Sequence, residues 1–224
     1  MERLSIASFL ANGHEYHLYA YEDVENVPAG TLLRAADRIL PRPLIFQYKK
    51  YPSYAGFSNF FRYKLLLSNG GWWADTDVIC LKHFAFEEPY VFASEPIEGC
   101  DVPTTAVIKV PAGSDMMQFN FDVCQSCPDP SNVVWGEHGP KLMETAIEKF
   151  GMRGQIKCAR VFCPLAYNQW EAVLFPGHAW NADKTSYAIH LWNEMWRRSC
   201  RNKDSSYPAD CLYERLKAKY LSRC

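Results

Sequence analysis

This sequence lacks the surplus positive charge of a nucleic-acid binder: 24 lysines and arginines stand against 25 aspartates and glutamates, a net charge of −1. Partners held through a phosphate backbone are thereby disfavoured. No apolar run approaches the roughly 20 residues of a membrane-spanning helix. The opening, MERLSIASFL, has neither the charged segment nor the cleavage site of a secretory leader, so a cytoplasmic location is expected. Internal repeats, low-complexity tracts and credible linkers are also missing, which makes residues 1–224 one expected domain. The nine cysteines follow no small-scaffold rhythm, and that suits thiols in a reducing compartment. Cys124 and Cys127 have zinc-knuckle spacing, but no second Cys/His pair follows at a suitable distance to complete four ligands.

Hydrophobic residues make up 48% and aromatics 15%, and a chain of 224 residues is long enough for a substantial core. A chain of this size buries roughly 70–75% of its extended surface. Rings in that number suit a dense core and also sugar or base stacking. Residues 2–12 predict a helix ended by Gly13, followed by a strand over His17–Tyr21. Leu32–Leu40 reads as a short helix, broken by Pro41-Arg42-Pro43, and Leu44–Tyr48 as a strand. Further on, Tyr90–Ala93 and Thr105–Val110 read as strands and Asp115–Cys124 as a helix. A helix opens at Gly139-Pro140 and runs to Phe150, and an amphipathic helix spans Tyr207–Leu221. That last helix suits packing, and contact with a membrane surface would suit a lipid-linked acceptor.

The most informative stretch is FSNFFRYKLLLSNGGWWADTDVICL, residues 57–81. Ser58 is the expected N-cap of a helix that Gly70-Gly71 terminate. Phe57, Phe60, Phe61 and Leu65 form its apolar stripe, while Asn59, Arg62 and Tyr63 share another face. Asp75 and Asp77 then stand one residue apart at the edge of a core, where uncompensated charge is costly and a dication would relieve it. Mg²⁺ or Mn²⁺ suits such oxygen ligands, with substrate phosphates completing the shell. A bare Asp-x-Asp is common, and its other reading is a solvated turn.

The string Ser58-Asn59-Phe60-Phe61-Arg62-Tyr63, then Gly70-Gly71-Trp72-Trp73-Ala74-Asp75-Thr76-Asp77, resembles the sugar-binding region of the family 32 glycosyltransferases. The resemblance implies an α/β fold of GT-A type, a Rossmann-like mixed sheet flanked by helices. It also implies a nucleotide-diphosphate sugar donor, Mn²⁺ (or Mg²⁺) dependence and retention of anomeric configuration. By the same resemblance Asp75, Asp77 and Arg62 are the catalytic residues, with Asn59, Tyr63, Gly71 and Trp73 on the donor side. Asn59 departs from the family's aspartate, which bears on donor choice. Family members open with a strand upstream of the first helix, near the nucleotide base, so the expected fold lacks that strand. Two explanations stand side by side: a start codon further upstream, or a missing part of the base-binding wall that would weaken donor binding.

Trp135-Gly-Glu-His-Gly-Pro140 corresponds to the family's acceptor side, which makes Glu137, His138 and Gly139 acceptor-side candidates; a helix N-terminus there can also meet hydroxyls or phosphate. A Gly-Pro that simply starts a helix is the alternative. The string His190-x-Trp192-x-x-x-Trp196 matches the family's closing element. It implies His190 as a third metal ligand, Trp192 along the diphosphate and Asn193 near sugar or phosphate; an ordinary core histidine is the competing reading. No carboxylate nucleophile stands out, so departure and attack on one face of the sugar is the expected course.

Three functions follow in order. The first is a metal-dependent retaining hexosyltransferase acting on a UDP-sugar, or another nucleotide sugar, and a glycan or lipid-linked acceptor. Its expected setting is bacterial surface polysaccharide synthesis, at the inner face of the membrane. The second is a non-catalytic sugar-nucleotide-binding remnant. The third is a metal-dependent phosphohydrolase, disfavoured because only Trp72-Trp73-Ala74 precede the aspartates. From the sequence, Asp77→Ala is expected to abolish turnover and leave the melting temperature nearly unchanged.

Overall fold

A computed structural model describes residues 1–50, 52–177 and 185–221. Helix α1 (Glu2–Ala11) leads into β1 (His17–Ala20), which pairs in parallel with β2 (Leu32–Ala35). Residues 32–40 are therefore a strand followed by a 3₁₀ turn over Ala36–Arg38, not the expected helix. The parallel ladder to β1 supplies what local helical propensity would otherwise decide. The strand expected over 44–48 is absent as well: Arg42–Leu44 is a 3₁₀ turn. Pro41 and Pro43 cannot donate to a ladder on either side of Arg42.

Helix α2 (Ala55–Asn69) begins three residues before Ser58, with Tyr54 at its N-cap position. The start is set by packing rather than by a capping side chain: Gly56 lies so close to the Tyr48 and Phe46 rings that a Cβ there would meet them at 2.7 and 2.9 Å. Phe57 and Phe61 are buried as expected, together with Leu66, while Phe60 and Leu65 stay partly open. At its far end Gly70 has φ +64 and would place a Cβ 2.3 Å from the Ala112 amide nitrogen, so only glycine allows the chain to reverse there.

The reversal feeds β3 (Gly71–Ala74), and two residues after Asp75 the chain starts β4 (Val78–Cys80). β5 (Val91–Ile97) and β6 (Cys100–Val110) run longer than the sequence reading had them. Glu98 and Gly99, with φ +49 and +82, close them into a two-residue hairpin whose positive φ values match the strand twist. The strand order is β3-β6-β5, with β3 and β6 antiparallel. Helices α3 (Asp115–Gln125), α4 (Leu142–Lys149) and α5 (Ala159–Phe162) follow. After them come β7 (Ala188–His190), α6 (Asn193–Arg198) and α7 (Leu212–Tyr220). Leu212, Leu216 and Tyr220 of α7 are buried, as its expected apolar face requires.

β4 pairs antiparallel with β7 in the register Val78↔His190, Ile79↔Ile189, Cys80↔Ala188. All six residues are at least nine-tenths buried. Two serines of α1 hold this pair in place: Ser5 Oγ donates to the Val78 carbonyl (2.6 Å) and Ser8 Oγ accepts from the Cys80 amide (2.8 Å). Both hydroxyls are fully buried and satisfied, so helix and strand dock in one register. The mixed α/β arrangement is that of a GT-A-like fold. Among the described residues β1 and β3 each pair on one edge only. Consecutive residues of both strands line a cleft of about 680 Å³, roofed by Phe57 and Phe61 of α2 and reaching Thr76.

Candidate functional site

Three elements converge on the Asp75-Thr76-Asp77 turn. The Asp75 amide donates to the Ala106 carbonyl of β6 (2.9 Å), which fixes the exit from β3. The Leu191 amide donates to the Asp77 carbonyl (2.9 Å), which carries the β4–β7 register one residue further and sets His190 beside Asp77. α2, lying across β3, presents Arg62 from above. The ligand atoms of Asp75, Asp77 and His190 lie within 4.8 Å of one another.

Each aspartate already has a defined set of donors. Asp75 Oδ1 accepts from Arg62 Nη2 (2.6 Å) and from the Trp73 indole Nε1 (2.7 Å), and the Arg62 guanidinium lies 4.7 Å from the Trp73 ring centre. Burial pushes the Asp75 carboxyl above its usual range; Arg62 pulls it down, and the neighbouring Asp77 charge adds to the rise. Asp77 Oδ2 meets His190 Nε2 (3.1 Å) and the Asn193 backbone N–H (2.8 Å). Burial opposes the Asp77 charge too, but His190 and the Asn193 amide outweigh it and hold the carboxyl below its usual range. For His190 burial disfavours the imidazolium, yet Asp77 overrides it and the pKa lies well above the ordinary histidine value. The two carboxylates, one held by Arg62 and the other by His190, disfavour each other's charge, and a bound cation would relieve that repulsion. The carboxylate oxygens and imidazole fit Mn²⁺ or Mg²⁺ as a donor set. Two buried polar atoms in the same cluster, Arg62 Nε and His190 Nδ1, have no partner at hydrogen-bond distance among the described residues, although the Cys163 thiol interacts with the His190 ring.

The other expected residues fall into two groups. Asn59, 7% exposed, accepts from Arg62 Nη1 and, more weakly, from Thr105 Oγ1 (3.5 Å), so it orients the guanidinium. Trp192 takes a left-handed backbone (φ +56), strained for a bulky residue, and packs against His190 with ring centres 4.0 Å apart and planes tilted by 39°. That backbone aims the Asn193 N–H at Asp77, so Asn193 enters the site through its main chain. Gly71 supplies a φ of +84 at the start of β3. Tyr63, expected on the donor side, is fully buried instead. Its hydroxyl donates toward the carbonyls of His138 (3.1 Å) and Gly139 (3.3 Å) and so ties α2 to the 137–141 turn. Within that turn Glu137 is exposed, His138 is half-buried with its pKa lowered by burial, and Gly139 is buried against Asn59.

A Cβ on Gly139 would sit 2.8 Å from Asn59 Nδ2. Gly139→Ala is therefore expected to displace Asn59 and with it Arg62, lowering donor turnover about tenfold with a stability loss near 1 kcal/mol. Steady-state kinetics and a melting curve check both; unchanged kcat and donor KM would show that the turn tolerates the methyl group.

Sequence reasoning missed three neighbours of the aspartates. Thr105 reaches Asn59, and its signal was a Thr-Thr pair just before the apolar run Ala106–Ile108 of β6. Buried Cys163 lies in the field of His190, and the half-buried Tyr16 phenol is raised by burial and then by Asp75. Neither of these two carries a motif that marks it.

Two family models and a curated protein match parts of this chain. Residues 22–96 match the family described as glycosyltransferase sugar-binding region containing DXD motif. Residues 131–224 match the family described as alpha 1,4-glycosyltransferase conserved region. Human alpha-1,4-N-acetylglucosaminyltransferase is 27% identical over 81 residues, which is 29% of this chain and 23% of that protein. The match thus spans about a quarter of the relative's length. The first family match contains Arg62, Asp75 and Asp77, and the second contains the 137–141 turn and His190. The chain is thus similar to glycosyltransferases that carry the DXD sugar-binding region over residues 22–96, and to alpha 1,4-glycosyltransferases over residues 131–224.

Proposed function

We propose that this protein moves a hexose, with retention of configuration, from a nucleotide-diphosphate sugar to a hydroxyl of a glycan or lipid-linked acceptor. A UDP-sugar is the favoured donor, and the reaction is assigned to the cytoplasm. No helix among the described residues is long and apolar enough to cross a membrane. The observation that carries the reading is the convergence of Asp75, Asp77 and His190 beside an Arg62 that still has a free buried N–H. Asp75, Asp77 and His190 would hold Mn²⁺ (or Mg²⁺), which when bound neutralises the diphosphate as it departs. The cleft of about 680 Å³ that reaches Thr76 has the size and aromatic walls of a nucleoside site.

The residues then divide the work. Arg62, braced by Asn59 and Trp73, directs its remaining N–H toward sugar or phosphate oxygens. Its charge is preorganised, so no reorganisation is needed as the leaving group gains charge. The C1–phosphate oxygen bond breaks and a C1–acceptor oxygen bond forms on the same face of the sugar. The acceptor's proton passes to the departing β-phosphate oxygen. The 137–141 turn, tied to α2 through Tyr63, lines the acceptor side.

The test is release of nucleotide from UDP- and GDP-sugars with Mn²⁺ and with EDTA, with product anomers read by NMR. Turnover that disappears with EDTA and gives a retained anomer supports the reading. Phosphate release from a monoester points to a phosphohydrolase instead. Donor binding without turnover points to a sugar-nucleotide-binding remnant.

A further inference from the structure

Glu95 lies on β5 opposite Val102 of β6, and only 8% of its surface is exposed. Its neighbours Val91, Phe92, Ala93 and Ser94 are completely buried. The buried charges of the aspartate site are paired, Arg62 with Asp75 and His190 with Asp77. Glu95 makes no hydrogen bond or ion pair with any described residue. A carboxylate this far buried and without a partner is costly to keep charged, and its oxygens stay open to a small solvent-reachable space rather than sealed in the core.

Its position explains what it faces. The β5–β6 ladder is regular up to Phe92↔Ile108 and resumes at Ser94↔Pro103, so Thr104–Val107 of β6 stand opposite Ala93 alone. Irregularities of this kind re-aim side chains beside active sites. On the β6 side the extra residues reach the donor machinery: Thr105 Oγ1 to Asn59, and the Ala106 carbonyl to the Asp75 amide. On the β5 side the ladder resumes just before Glu95. Burial raises the Glu95 carboxyl, and the charge that acts against this rise is His190. The buried Cys163 thiol lies in the fields of His190, Glu95 and Asp75.

We propose that Glu95 is a further substrate-binding residue, whose carboxylate accepts hydrogen bonds from hydroxyls of the transferred sugar, beside the β6 segment that holds Asn59 and Asp75. The proposal rests on the glycosyltransferase reading. Sugar hydroxyls are donors that the protein does not supply at this point, and a carboxylate takes up to two of them at once. The group is retained at a cost to the empty protein because the sugar removes that cost on binding.

Glu95→Gln keeps the shape and removes the charge; Glu95→Asp keeps the charge and shortens the reach. Steady-state kinetics and calorimetric binding are compared for UDP and for UDP-sugar, each with Mn²⁺. Glu95→Gln is expected to lower kcat/KM about 10–100-fold and to weaken UDP-sugar binding, with UDP affinity unchanged within about twofold. Its melting temperature should hold or rise, since an unpaired buried charge is gone. Glu95→Asp should keep the melting behaviour of the parent and lose less activity than Glu95→Gln. Equal loss of UDP and UDP-sugar affinity, or a fall in melting temperature with activity intact, overturns the proposal. If the parent protein turns over no sugar donor, the glycosyltransferase reading fails first; the difference between UDP and UDP-sugar binding still reports on Glu95.

Discussion

Asp77→Asn is expected to reduce sugar transfer about 100-fold or more and to destabilise the protein as well. The activity term follows from loss of one of the carboxylates that would hold the dication. The stability term comes from the environment of the side chain, which sequence alone does not reveal. Asp77 and His190 are 15% and 8% exposed, and the Asn193 amide also depends on Asp77. Breaking a buried pair by removing one partner costs about 3–5 kcal/mol, and the lower end applies here because imidazole can shed its proton. For a chain of this length about 3 kcal/mol corresponds to a fall of roughly 6–12 °C. For Asp77→Ala, where the sequence led to an almost unchanged melting temperature, the same burial now predicts a fall as well. Calorimetry on parent and variant, run beside the nucleotide-release assay, decides between them. A variant that retains full transfer would remove Asp77 from the mechanism.

Arg62→Ala should have a comparable effect by a different route. Arg62 is 3% exposed and links Asn59, Asp75 and the Trp73 ring. Without it Asp75 keeps a buried charge whose remaining listener is the Trp73 N–H, at a cost of about 3–5 kcal/mol. The Asp75 carboxyl, already raised by burial, would rise further and take up a proton, and Mn²⁺ affinity should fall with it. Arg62→Lys restores the charge without the planar fork, so stability should recover more than turnover. Spin-resonance titration with Mn²⁺, melting curves and donor KM on both variants read these effects separately. A lysine variant equal to the parent in all three would show that the fork geometry carries nothing.

Much of the site was legible before any coordinates, and the reasons are local. Gly70-Gly71 must stop a helix, a strand must follow at once, and the two aspartates come at its end. The spacing of Asn59, Arg62 and Tyr63 put them on one face, though it could not tell that Tyr63 is turned toward the 138–139 carbonyls. His190 could be suspected from its string but not placed, because its neighbourhood depends on an antiparallel register with a strand more than a hundred residues away. Residues 32–40 misled for a similar reason, since a parallel partner outweighed their helical pattern. Glu95 was invisible: nothing in EEPYVFASEPIEG distinguishes a buried carboxylate from a solvated one. Charge becomes conspicuous only when its surroundings are known.

The turn carrying Asp75 and Asp77 also joins two separately hydrogen-bonded sheets, one ending in β3 and the other built from β4 and β7. Asp75 belongs to the first, whereas Asp77 and His190 belong to the second. A ligand gripped by all three acts as a rivet across that seam, so occupancy of the centre and stiffness of the joint rise together. Local opening of the short β4–β7 ladder, which exposes its amides to exchange with solvent, then becomes a gauge of how full the centre is.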